Sequence, residues 1–139
     1  DIPAVGSMSS THSANPVVCT AGLVTLEEIE SNQLVAESAR KGRLLHNGLN
    51  ALKEKYSDRI AYVLGRGLIA AVLFCKPGGM ESDAEFTSQV AELCMRKGLL
   101  VVHTGRESIK IGPPLTISDN ALMEGVEVLD EAIAEVIGV

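Results

Sequence analysis

The residues of this 139-residue chain best suited to holding a charged group lie near its start, in Ser10-Thr11-His12-Ser13-Ala14-Asn15-Pro16. Asn15 can cap a helix by accepting a hydrogen bond from a backbone N–H that the first turn leaves unpaired, and Pro16 brings its fixed φ to the first helical position. A short, hydroxyl-rich segment leading into the positive end of a helix can hold an anion such as a phosphate. Taken by itself the stretch is also a capped surface loop, and most capped helix starts bind nothing. The other chemically able residues point to less. Gly65-Arg66-Gly67 lies between two β-rich runs with no helix behind it, so it reads as a turn and not as a phosphate cradle. Cys19, Cys75 and Cys94 are odd in number and widely spaced in apolar patterns, which fits reduced core thiols better than a disulfide framework or a metal site. His46, among Arg43, Asn47 and Asn50, reads as a solvated residue, and His103 as a strand-end residue.

Composition bounds the rest. The chain is 46% apolar and 22% charged, enough for one domain with a real core. A net charge of -6, no Trp, two Tyr and two Phe argue against a nucleic-acid partner. No apolar run approaches the ~20 residues that span a bilayer, and the start lacks the charged-then-apolar order of a signal peptide, so a cytoplasmic protein without a membrane partner is expected. The chain opens on Asp1 and reads as a piece entered from something upstream.

The elements follow from periodicity. Cys19, Leu23, Leu26 and Ile29 give residues 16–30 a helical pattern with a partly buried face. A second helix over 33–56 carries the stripe Leu34, Ser38, Gly42, Leu45, Leu49, Leu52 and Tyr56, whose small members allow a close helix crossing or domain contact. Residues 60–64 and 68–75 read as a hairpin, the second strand buried and central because it barely alternates. Ser82-Asp83-Ala84-Glu85 opens a helix as a capping box, and Gly98 closes it. Residues 99–103 and 108–111 read as strands, and Ser118 caps a last helix with Leu122, Val126, Leu129 and Ile133 on one face. The order predicts an α+β fold, a small mixed or antiparallel sheet of about four strands covered by helices.

Three motifs carry a resemblance. Ser-Thr-x-x-Ala-Asn-Pro at 10–16, Val63-Leu64-Gly65-Arg66-Gly67-Leu68, and Ile109-Lys110-Ile111-Gly112-Pro113-Pro114-Leu115 resemble, in order and spacing, the start of the C-terminal part, the Arg-Gly-x-Gly-Leu turn and the Arg-x-x-Pro-Pro-Leu segment of class III pyridoxal-phosphate aminotransferases, the ornithine and 4-aminobutyrate group. The resemblance implies the small C-terminal domain of a fold-type I enzyme. Residues 1–15 would be an incoming segment with a cofactor-phosphate loop, 16–57 linking helices and 58–139 the small α+β domain. It implies pyridoxal 5'-phosphate as cofactor, an amino donor and a 2-oxo acid as substrates, and a homodimer whose sites are shared across the interface.

By the same resemblance Thr11, with Ser10 beside it, bonds the cofactor phosphate in the neighbouring subunit's site, while Met8 stands where the family often has a histidine. Lys110 falls where several members carry an arginine that grips the substrate carboxylate, and Arg106 is a rival; lysine keeps the charge but not the bidentate fork. Each is, by residue type alone, equally a solvated strand or turn cation. None of the six lysines matches the one that holds the cofactor as an imine, so this stretch alone should be inactive. Other chemistries on the same fold (an aminomutase, racemase or decarboxylase) and a non-enzymatic binding or dimerisation module remain as alternatives.

Overall fold

The computed structural model describes residues 14–103 and 105–139. The chain divides between Leu34 and Val35 into two compact units.

The described part of the first unit is helix α1, Pro16–Ser31. Its start is what the residue types dictate: the Asn15 side chain accepts from the Val17 N–H at 3.0 Å and Pro16 follows. The predicted buried face is absent. No residue of α1 is buried, and Val17, Val18, Leu23, Val24 and Leu26 are all exposed. They are spread around the helix instead of forming a stripe, and among the described residues this unit has no surface to cover them. Cys19, expected in a core, is exposed for the same reason.

The second unit contains nearly all of α2 (Leu34–Lys55), then β1 (Ile60–Arg66), β2 (Ile69–Phe74), α3 (Ala84–Arg96), β3 (Val102–His103), β4 (Ser108–Ile111) and α4 (Asp119–Ile137). The strands form one antiparallel sheet in the order β1-β2-β4-β3. One face is covered: Leu45, Leu49, Leu52 and Tyr56 of α2, Phe86, Val90 and Cys94 of α3, and Leu122, Val126, Leu129 and Ile133 of α4 pack with Ile60, Ala70, Val72, Phe74 and Ile109 of the sheet. Phe74 and Phe86 meet edge to face, centroids 5.5 Å apart. The other face is open, with Tyr62, Leu64, Ile69 and Val102 exposed. Strand β2 is therefore central, as expected, yet it does alternate: Ile69 is 72% exposed although its neighbour Ala70 is 2% exposed. An apolar side chain on the uncovered face makes its sequence look like that of a strand buried on both sides.

Turn and cap details correct the expectations. The hairpin turn is Gly67-Leu68, not Gly65-Arg66-Gly67, because Gly65 stays paired with Ala70 and Arg66 with Ile69. The small Gly42 of α2 does admit a neighbouring backbone, and that backbone is this turn, so close that a Cβ on Gly42 would lie 2.5 Å from the Gly67 Cα. Asp83, not Ser82, caps α3, its carboxylate accepting from the Phe86 N–H at 3.0 Å while Ser82 bridges Cys75. A carboxylate also favours the positive end of the helix, which a hydroxyl does less. The strand expected over 99–103 shrinks to two residues. Gly98, at φ 91°, donates to the Met95 carbonyl and Leu99 to the Cys94 carbonyl, a Schellman exit from α3 that takes the start of the strand. Ser118 caps α4 as expected, accepting from Ala121 N–H. Among the described residues no helix is long and apolar enough to cross a membrane, and no cluster of side chains could hold a metal ion.

Candidate functional site

The site residues expected from sequence fall in two places. Ser10 and Thr11 lie outside the described residues; the adjoining structure is the capped N-terminus of α1. Lys110 and Arg106 both belong to the β3–β4 hairpin.

Lys110 is set in the sheet by pairing on both sides, with Ala71 of β2 and Val102 of β3. Because Ala71 also pairs with Leu64, one line across the sheet reads Leu64, Ala71, Lys110, Val102, with all four side chains on the open face by strand alternation. Lys110 is exposed between a small and an apolar neighbour, and that line contains no carboxylate. Among the described residues, Arg40, Lys41, Lys55, Arg59, Lys76, Arg96 and Lys97 are each paired with an acidic side chain, whereas Lys110 and Arg106, like Arg43, Lys53 and Arg66, are not. Arg106 is exposed in the turn, and its backbone carbonyl contacts His103 Nε2 at 3.1 Å, which keeps His103 at the strand end where it was expected. Pairing on both sides fixes the Lys110 backbone in the sheet, whereas Arg106 lies in the turn outside the strands.

Behind β4 lies an apolar cavity of about 290 Å³, bounded by Ile111, Pro113, Ile117, Leu122 and Val126. The segment 112–118 that walls it is tied to α2. Arg40 donates from both terminal nitrogens to Asp119, at 2.8 and 2.7 Å, and also bonds Glu37. Lys41, only 8% exposed, donates to the Leu115 carbonyl at 3.3 Å and stands 3.9 Å from Glu37. The hydrogen bond from Arg40 holds the carboxyls of both Glu37 and Asp119 below their ordinary range, and these partners raise the Arg40 guanidinium. Sequence reading passed over Lys41. The signal was there: it lies three residues after Ser38 and four before Leu45, inside the apolar stripe, where a cation is out of place. His46, expected to be solvated, is half-buried with Nε2 shielded and unpartnered among the described residues, since it follows Leu45 at the border of the same stripe.

The family described as Aminotransferase class-III matches residues 1–133. The chain belongs to the class III aminotransferases. A 4-aminobutyrate aminotransferase of Mycobacterium leprae is 36% identical over 135 residues, covering 96% of this chain and 30% of the relative. An acetylornithine aminotransferase of Synechocystis sp. is 32% identical over 140 residues, covering 99% of this chain and 31% of the relative. Among solved structures, a transaminase from the marine bacterium Virgibacillus superposes with a TM-score of 0.83 at 26% identity, over 92% of this chain and 30% of that one. This class III aminotransferase chain thus spans about 30% of the length of these relatives. Its α+β sheet-and-helix unit is the one expected from sequence for the C-terminal domain of a fold-type I pyridoxal-phosphate enzyme.

Proposed function

We propose that this chain is the C-terminal part of a pyridoxal-phosphate-dependent transaminase that moves an amino group from an amino donor to a 2-oxo acid, and that Lys110 is the cation receiving the substrate carboxylate. The observation that carries the second statement is the exposed Lys110, its backbone fixed in mid-sheet by pairing on both sides and its ammonium without an acid partner among the described residues, while seven other cations are each paired with an acid. The cofactor, bound elsewhere in the whole protein, supplies the electron sink for the carbon carrying the amino group. What this chain offers it is phosphate binding. Thr11, with Ser10, precedes a helix whose first turn is capped by Asn15 and opened by Pro16, so the positive end of α1 fits an anion there. We place that contact across a homodimer interface, and the protein in the cytoplasm, which suits its three free cysteines.

In this reading Lys110 binds and orients. A single ammonium attracts a carboxylate as a point charge, without the forked geometry of arginine, so the flanking Ala71 and Val102 must set the direction of approach. The test uses the full-length protein. Lys110→Gln should raise KM for the 2-oxo acid by about tenfold or more, and Lys110→Arg should restore most of it. An aldehyde acceptor without a carboxylate should be insensitive to both changes. Equal losses on the two acceptors would refute the assignment.

A further inference from the structure

We propose that Lys41, acting with Arg40, is a positioning residue for the carboxylate site: it fixes the segment 112–118 and thereby the end of β4 that presents Lys110. This role rests on the reading of Lys110 as the cation that receives the substrate carboxylate.

Lys110 is one residue from the end of β4, and the chain leaves the strand through Gly112-Pro113-Pro114-Leu115. Neither proline has an N–H, so strand pairing cannot hold this stretch. Among the described residues, the bonds that do hold it are few. Ile117 donates to the Pro114 carbonyl at 3.0 Å, Lys41 donates to the Leu115 carbonyl at 3.3 Å, and Arg40 grips Asp119 at its far end. Two adjacent cations of one helix therefore tie down both the middle and the end of the connection between the Lys110 strand and α4.

Stability does not account for Lys41. A buried ammonium loses its hydration, and among the described residues it regains one carbonyl bond and a carboxylate at 3.9 Å, with its neighbours Leu45 and Leu49 in the core. An apolar side chain of equal volume would serve folding as well or better. An unbranched ammonium does what a methionine cannot: it gives one carbonyl of a proline-rich segment a single defined position.

The experiment is done on the full-length enzyme with Lys41→Met, Lys41→Arg, Lys110→Gln and the double variant K41M/K110Q. Lys41→Met should fold normally and raise KM for the 2-oxo acid by about tenfold with kcat little changed. Lys41→Arg should recover most of that rise. Adding K41M to K110Q should raise KM no further, because a residue that works through Lys110 has nothing left to position. Independently of activity, hydrogen exchange in K41M should quicken at Ile111, Gly112 and Leu115–Ser118 and stay unchanged at Val90 and Leu129 of the core. The same KM rise in both backgrounds, or unchanged exchange at 111–118, overturns the positioning role. K110Q leaving KM unaltered overturns the carboxylate reading instead, and with it the link from Lys41 to substrate.

Discussion

Replacing Gly42 by alanine tests the packing of α2 against the hairpin more directly than any other single change. The added Cβ would lie 2.5 Å from Gly67 Cα and 2.6 Å from both its C and O. All three are backbone atoms, so no flexible side chain can swing aside. The turn cannot easily reshape either: Gly67 has φ 58°, and on its other side a Cβ would meet Ser38 Oγ at 3.0 Å. Alanine gains about 1 kcal/mol of helix propensity over glycine. Overpacking costs about 1–3 kcal/mol, and with backbone on the receiving side the upper part of that range applies. The net should be a loss of about 1–2 kcal/mol, or a Tm lowered by roughly 4–16 °C for a unit of this size. Two other helical glycines provide the comparison, since they share the propensity gain and differ in space. On Gly125 a Cβ would touch only Leu99 Cδ1 at 3.4 Å, so Gly125→Ala should stabilise; on Gly48 it would press Val126 Cγ1 at 3.1 Å, a side chain that can give, so the change should be near neutral. Denaturant unfolding of the four proteins gives the order. Gly42→Ala as stable as Gly125→Ala would refute the reasoning.

Three other perturbations have defined outcomes. Tyr56 is buried and its hydroxyl donates to Asp130 Oδ1 at 2.5 Å, so Tyr56→Phe should cost about 1–2 kcal/mol in the same unfolding assay. Asp119 titrates below its ordinary value near 3.8 because Arg40 bonds the charged form, so the unfolded chain takes up its proton first as pH falls. Its contribution is complete above that ordinary value and is lost as pH drops through the lower folded one; Asp119→Asn should flatten the stability–pH curve in that acid window and leave its slope at neutral pH alone. The isolated 139-residue chain, with five large apolar residues of α1 exposed, should self-associate, and Leu23→Lys with Leu26→Lys should reduce this in sedimentation velocity. A monomer at all concentrations would remove that claim.

Most elements of the fold could be read from the sequence, because each has a local cause. Asn15-Pro16 and Ser118 start helices, Gly98 ends one, and the stripe of Leu45, Leu49, Leu52 and Tyr56 is a helical face with no competing reading. Where the reading missed, the deciding partner lay far away in sequence. The hairpin turn moved from Gly65 to Gly67 because register is set by the opposite strand, and β2 looked buried on both faces because an uncovered face can still be apolar. The candidate site divides in the same way. Lys110 is visible in a motif, but its lack of an ion-pair partner among the described residues depends on where the other charges go. Lys41 is visible as a breach of the apolar pattern, though only its bond to Leu115, 74 residues on, gives the breach a meaning.

The three thiols give the isolated chain a built-in clock for its own opening. Cys19 is exposed, while Cys75 and Cys94 are buried in a different unit. Burial also pushes the Cys94 thiol up to about 11, so even a reagent that reached it would find almost no thiolate at neutral pH. A thiol-reactive dye should therefore label one site at once and the other two only as fast as the second unit opens. The slow phase would report the breathing of the core around the sheet without a mutation, a tag or a denaturant.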